Sequence, residues 1–130
     1  MIGGNGEKRT LRLAARYADE WNAVFQTPAS FAHLSGKLDE WLVDEERKPE
    51  AVRRSMMTGL RFAHSRAGLE AKLHGHPVEE LRGRGMIVGV GEEIQPQLAE
   101  LEKAGVQRVM LQWMDLEDLE GLEWLGKAMV

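Results

Sequence analysis

The chain is predicted to be an α/β protein built on a parallel sheet, and three observations carry that prediction. Short apolar segments recur at residues 21–25, 55–63 and 106–113, each of strand length. Helix-period stretches separate them, so strand and helical cover alternate along the chain. Pro28, Pro49, Gly75, Pro77 and Gly105 stand at the borders between the two kinds of segment. Right-handed crossovers between parallel strands then place the helices on one side of a curving sheet.

The elements follow in order. Ile2 leads straight into Gly3-Gly4-Asn5-Gly6, which reads as the loop after a strand of which only a stub is present. From Glu7 the pattern turns helical, with Leu11, Ala14, Ala15 and Ala18 on one face and Arg9, Arg12 and Arg16 on the solvated one. Trp21 to Phe25 is a short buried strand. Thr27-Pro28 is a helix start, an N-cap followed by proline at the first helical position. That helix carries Phe31, Leu34, Leu38, Trp41 and Leu42 on one stripe and closes before Pro49. Ser55 to Ala63 alternates about Met56, Thr58, Leu60 and Phe62, a second strand. Two short helical pieces follow, around 69–73 and 78–81, and Gly83, Gly85, Gly89 and Gly91 make a flexible connector. Ile94, Leu98 and Leu101 mark a further helix, ended by Gly105. Val106 to Trp113 is the third strand, and a last helix runs from about Leu119 to Met129.

Composition narrows the function classes. The 130 residues are a single domain by size, 1–130, long enough to bury one core. A net charge of −4 argues against a nucleic-acid surface, which needs a concentrated basic stripe. No apolar run approaches the ~20 residues that cross a bilayer, and the opening residues do not form a signal peptide. Without cysteine there is no disulfide, thiol nucleophile or thiolate metal site. A cytoplasmic location is expected, with neither nucleic acid nor membrane as partner.

Gly3, Gly4, Asn5 and Gly6 are the candidate binding loop. Glycines let the backbone approach a ligand closely, and the free amides opening a helix attract an anion. A plain tight turn that needs positive φ explains the same residues, and the loop alone leaves both readings open. Three longer stretches add weight: IGGNGEKRTLRLAARYADEWN at the start, Pro49 to Ser55 entering a strand, and Ala104 to Gln112 near the end. In this order they resemble the luciferase-like monooxygenase superfamily, particularly its branch using the deazaflavin coenzyme F-420.

The resemblance implies the second half of a (β/α)8 TIM barrel: the last three barrel strands, their helices and a stub of the strand before. It implies that Gly3, Gly4, Asn5 and Gly6 hold the phosphate of a deazaflavin (coenzyme F-420) or FMN. The family's Gly-Thr-Pro-Glu helix start is replaced here by Gly89-Val90-Gly91-Glu92-Glu93 and a later Pro96. Proline there is tolerated only if the helix begins near Gln95. No binding role is carried over to that connector.

Other candidates have ordinary alternatives beside them. Arg61 and His64 end the second strand and Asp115 follows the third, where a barrel does its chemistry, yet all three also suit a solvated loop. Trp21 is more often core than a cofactor wall, with Asn22 beside it. Lys8 lies near enough to the glycine loop to add charge. His74-Gly75-His76 lacks further ligands, so no metal is expected. Met56-Met57 reads as adaptable core packing. No nucleophile triad or spaced carboxylate pair is present, and catalytic residues stay unassigned.

Two functions remain. The chain is part of a flavin- or deazaflavin-dependent oxidoreductase acting on a small-molecule substrate, supplying the phosphate loop and the last strands. Alternatively it is a non-catalytic, oligomerising relative that binds a nucleotide-like cofactor or partner without turnover. Half a barrel leaves open strand edges, and a TIM barrel typically needs ~250 residues. The expected partner is therefore a second copy of the chain or a separately encoded first half of the barrel.

Overall fold

A computed structural model describes residues 1–130 throughout. The order is β1 (Ile2–Gly3), α1 (Thr10–Tyr17), β2 (Glu20–Val24), α2 (Pro28–Asp44), β3 (Arg53–Ala63), α3 (Arg66–Leu73), α4 (Val78–Gly83), β4 (Ile87–Val90), α5 (Ile94–Lys103), β5 (Arg108–Gln112) and α6 (Leu119–Ala128). Every strand pairing is parallel: β1 with β2, β2 with β3, and β3 with both β5 and β4. Strand alternating with helical cover is thus the observed architecture. No helix is long and apolar enough to cross a membrane.

β3 organises the sheet. Its first half pairs with β2 over Arg53–Met57, and Ser55–Gly59 pairs with β5. Beyond that, Leu60–Ala63 pairs with β4. Gly85, just before β4, has φ +82°, and a Cβ there would lie 2.6 Å from the Phe25 carbonyl carbon. Only glycine lets β4 begin that close to the end of β2.

Side-chain parity divides the two faces. Trp21 and Ala23 of β2 share a face with Met56, Leu60 and Phe62 of β3, and that face joins one core with Leu11, Phe31, Leu38, Ile94, Leu101 and Leu125. α1, α2, α5 and α6 therefore cover the same side. Trp21 and Phe31 stack with ring centroids 5.3 Å apart, both fully buried, and each such side chain is worth ~1.5–3 kcal/mol on burial. Arg47 closes α1, donating to the carbonyls of Ala15 at 2.7 Å and Ala18 at 2.9 Å. Those are carbonyls that a helix end leaves without partners.

Two expectations need correction. The Gly83–Gly91 connector is not simply flexible: it contains β4, because Ile87 and Val88 bury on opposite faces of a ribbon while Gly89 meets Glu93. The helices are also not all on one side. Ala63, Leu69, Leu73, Leu81 and Val88 form a second cluster, placing α3 and α4 on the opposite face of the β3–β4 end. One smaller difference concerns a helix start: α1 begins at Thr10 rather than Glu7. α5 begins at Ile94, next to the start near Gln95 that Pro96 requires, so Pro96 falls in the first turn where its missing N–H costs nothing.

Candidate functional site

In a parallel sheet all carboxyl ends lie on one side, so the loops after β1, β2, β3 and β5 share a rim. The glycine loop leaves the carboxyl end of β1. The Gly4 amide donates to the Asn22 carbonyl at 2.9 Å, and the Trp21 indole donates to the Gly4 carbonyl at 2.9 Å. Asn5 then uses its side chain as a strand would use its backbone. Its Nδ2 donates to the Val24 carbonyl at 2.8 Å, and its Oδ1 accepts from the Val24 amide at 2.9 Å. The loop is thereby pinned to the end of β2.

What the loop leaves free matters for binding. The backbone amides from Asn5 through Thr10 donate to no acceptor in the chain, and Asn5 to Arg9 are exposed. Gly4 has φ +123°, so the tight-turn explanation holds at that position. A Cβ at Gly4 would meet Thr10 Cγ2 at 3.3 Å, and one at Gly6 would meet Thr10 Oγ1 at 3.0 Å. These glycines let the loop fold against the helix start, whose first amides have no acceptor within the chain. Lys8 is exposed in the same turn.

The other predicted residues separate. Trp21 is core. Asn22 is buried on the opposite face, donating to Ser55 Oγ at 2.9 Å. Met56 is buried in the main core, whereas Met57 is half-buried on the Asn22 face. His64 stacks on Trp124 of α6 with centroids 3.7 Å apart. Asp115 meets Lys72 of α3 at 2.9 Å, and Lys72 also meets Asp118 at 2.8 Å. His74 ends α3 with φ +51°, while His76 faces Glu80 at 3.7 Å, so the two histidines serve different contacts.

The electrostatics at the β5–α6 loop centre on Lys72. Burial acts to lower its pKa, but hydrogen bonds to Asp118 and Asp115 outweigh that, and the net shift is upward. The Asp118 carboxyl is held below its ordinary value by Lys72 and then by the Gly121 amide, which it caps at the start of α6. At the replaced helix start, Glu93 sits below the usual carboxylate range because Arg66 and the Val90 amide both donate to it. Lys72, Glu93 and the carboxamide role of Asn5 were not anticipated. Nothing local distinguishes Lys72 from any other helical lysine until the chain folds.

With this geometry in place, comparison with known proteins decides the fold. No family model matches the chain, and no curated protein matches it. Solved structures do. The chain is similar to a coenzyme F420-dependent tetrahydromethanopterin reductase from Methanopyrus kandleri, with a TM-score of 0.74 at 17% identity over 97% of this chain and 48% of the reductase. The fold is the luciferase-like one.

An F420-dependent secondary alcohol dehydrogenase has the luciferase-like fold too, with a TM-score of 0.67 at 16% identity over 84% of this chain and 41% of that one. So does the long-chain alkane monooxygenase LadA, with a TM-score of 0.65 at 9% identity over 95% and 37%. The chain spans less than half the length of each of these structures. It corresponds to part of a luciferase-like barrel.

Proposed function

We propose that this chain supplies the cofactor-phosphate grip and closing strands of a cytoplasmic luciferase-like oxidoreductase using deazaflavin (coenzyme F-420) or FMN. The observation that carries the reading is the run of exposed amides from Asn5 through Thr10 without acceptors, at the carboxyl end of β1. Gly3, Gly4, Asn5 and Gly6 form the phosphate loop: the Asn5 and Gly6 amides donate to the phosphate, while Gly3 and Gly4, whose amide is held by the Asn22 carbonyl, let the backbone approach it. The Asn5 side chain cannot take part without releasing Val24. Lys8 adds positive charge nearby. A bound ring supplies the redox chemistry, transferring hydride or activating oxygen for a small-molecule substrate, while the protein positions it. The similar F420-dependent reductase and dehydrogenase, and the alkane monooxygenase, support this choice of cofactor class.

The test is titration of the purified chain with FMN and with coenzyme F-420, followed by phosphorus NMR and ring fluorescence. Binding that perturbs the phosphate resonance, and weakens at least tenfold in Gly4→Ala, is the expected result. Failure of both cofactors to bind, or equal binding by the variant, overturns the assignment.

The same reading requires the sheet to be completed. β1 pairs only with β2, β5 pairs only with β3, and the β5 residues are half-buried or exposed. In this reading, strands from a second copy of the chain or from a first half of the barrel complete the sheet.

A further inference from the structure

We propose that the cleft between β3, α3 and the β5–α6 loop binds a flat, mostly apolar small molecule carrying one anionic group, with Arg61 as its charge partner. The cleft encloses about 540 Å³. It opens where β3 outruns its neighbour: β5 pairing stops at Gly59 with Gln112, while β3 continues through Leu60, Arg61 and Phe62. The chain after β5 turns away through Trp113 to Asp118 and leaves a gap whose accessible apolar lining is Trp113, Met114 and Leu116, while Leu60 and Phe62, their side chains buried in the main core, border it along the β3 edge.

Those walls suit a planar apolar body, as small-molecule sites are mainly apolar with a few placed polar groups. Charge at the cleft is distributed unequally. Lys72 is already neutralised by Asp115 and Asp118, and Trp113 lies 4.8 Å beneath its ammonium. Glu117 sits exposed on the loop, where water screens it. Arg61 is half-buried, and within the chain its guanidinium donates only to the neighbouring Leu60 carbonyl, at 3.1 Å. A partly desolvated guanidinium with unused donors favours a carboxylate or sulfonate, which it holds through paired hydrogen bonds. This site is independent of the glycine loop and does not require a cofactor there.

The probes are 2-naphthoate and its neutral counterpart 2-naphthamide, titrated into the nitrogen-15-labelled chain. Naphthoate is expected to shift the Trp113 indole and the amides of residues 71–74 and 113–118. It should bind about tenfold tighter than naphthamide, the worth of one charge-assisted hydrogen bond. Arg61→Gln should remove that preference, weakening naphthoate about tenfold and naphthamide much less. The proposal falls if the two probes bind wild-type protein equally, which needs no variant to fold. It falls equally if the naphthoate shifts map to residues 5–10, if neither probe perturbs the cleft, or if Arg61→Gln keeps the naphthoate preference.

Discussion

Asn5 shows how one side chain settles the position of a loop. Its carboxamide presents a donor and an acceptor in one plane, which matches the Val24 amide and carbonyl as a neighbouring strand would. Asn5→Ala is expected to cost about 1 kcal/mol in urea unfolding, since the residue is exposed and water replaces part of the loss. Asn5→Asp should cost more, because a carboxylate then faces the Val24 carbonyl without a proton to donate. Trp21 binds the loop from the other side. Trp21→Phe keeps the stack on Phe31 but leaves the Gly4 carbonyl without its indole partner, a loss of about 1–3 kcal/mol by thermal or denaturant unfolding. Phe25, at φ +50°, is a bulky residue in a conformation such residues seldom adopt, and its ring lies over Gly59.

Among the elements, those with strong periodicity or a distinct cap were legible in advance. α2 starts at Pro28 with Thr27 accepting from the Ser30 amide, as its Thr-Pro start predicts. α5 carries the Ile94 and Leu101 stripe and ends before Gly105, which has φ +99°. β4 was not legible, because four residues flanked by glycines carry too little pattern to separate strand from connector. Its existence rests on β3, which offers Leu60–Ala63 as a template. Gly85→Ala is therefore expected to cost at least about 2 kcal/mol, through positive φ and a clash with the Phe25–Gln26 backbone, and to release β4. Loss of hydrogen-exchange protection at residues 87–90 checks this. In the candidate site, the glycine loop was readable because its composition is unusual. The Lys72–Asp115–Asp118 cluster was not, since its members come from α3 and from the β5–α6 segment.

That cluster also makes the β5–α6 loop sensitive to pH. Asp118 has a folded-state pKa below its ordinary value, so its contribution is present above the ordinary carboxylate range and lost as acid protonates it in the fold. Lys72 has a raised pKa, so its contribution is full below the ordinary lysine value and lost as pH climbs past the folded one. The loop is expected to stay latched through neutral pH and loosen at both extremes. Trp113 lies under Lys72, so its fluorescence reports the change. Asp118→Asn should weaken the acid transition, and an unchanged acid limb in that variant would count against the latch.

At the scale of the whole molecule, the two faces of the sheet are covered unequally. One face carries four helices and a continuous core, and the other bears Asn22, Ser55, Met57 and Met110 with helical cover only at the β3–β4 end. Sedimentation velocity across micromolar concentrations is expected to show self-association, or a stable complex once strands from a first half are supplied. A compact, well-folded monomer throughout would refute the need for added strands. Alternating strand and helix, the helix caps and the glycine loop were encoded in residues near one another in the chain. The face chosen by α3 and α4, the strand in the glycine connector and the cleft at Arg61 depend on contacts between distant residues. Local pattern specifies which way a side chain points along its own element, whereas long-range packing specifies what it meets there.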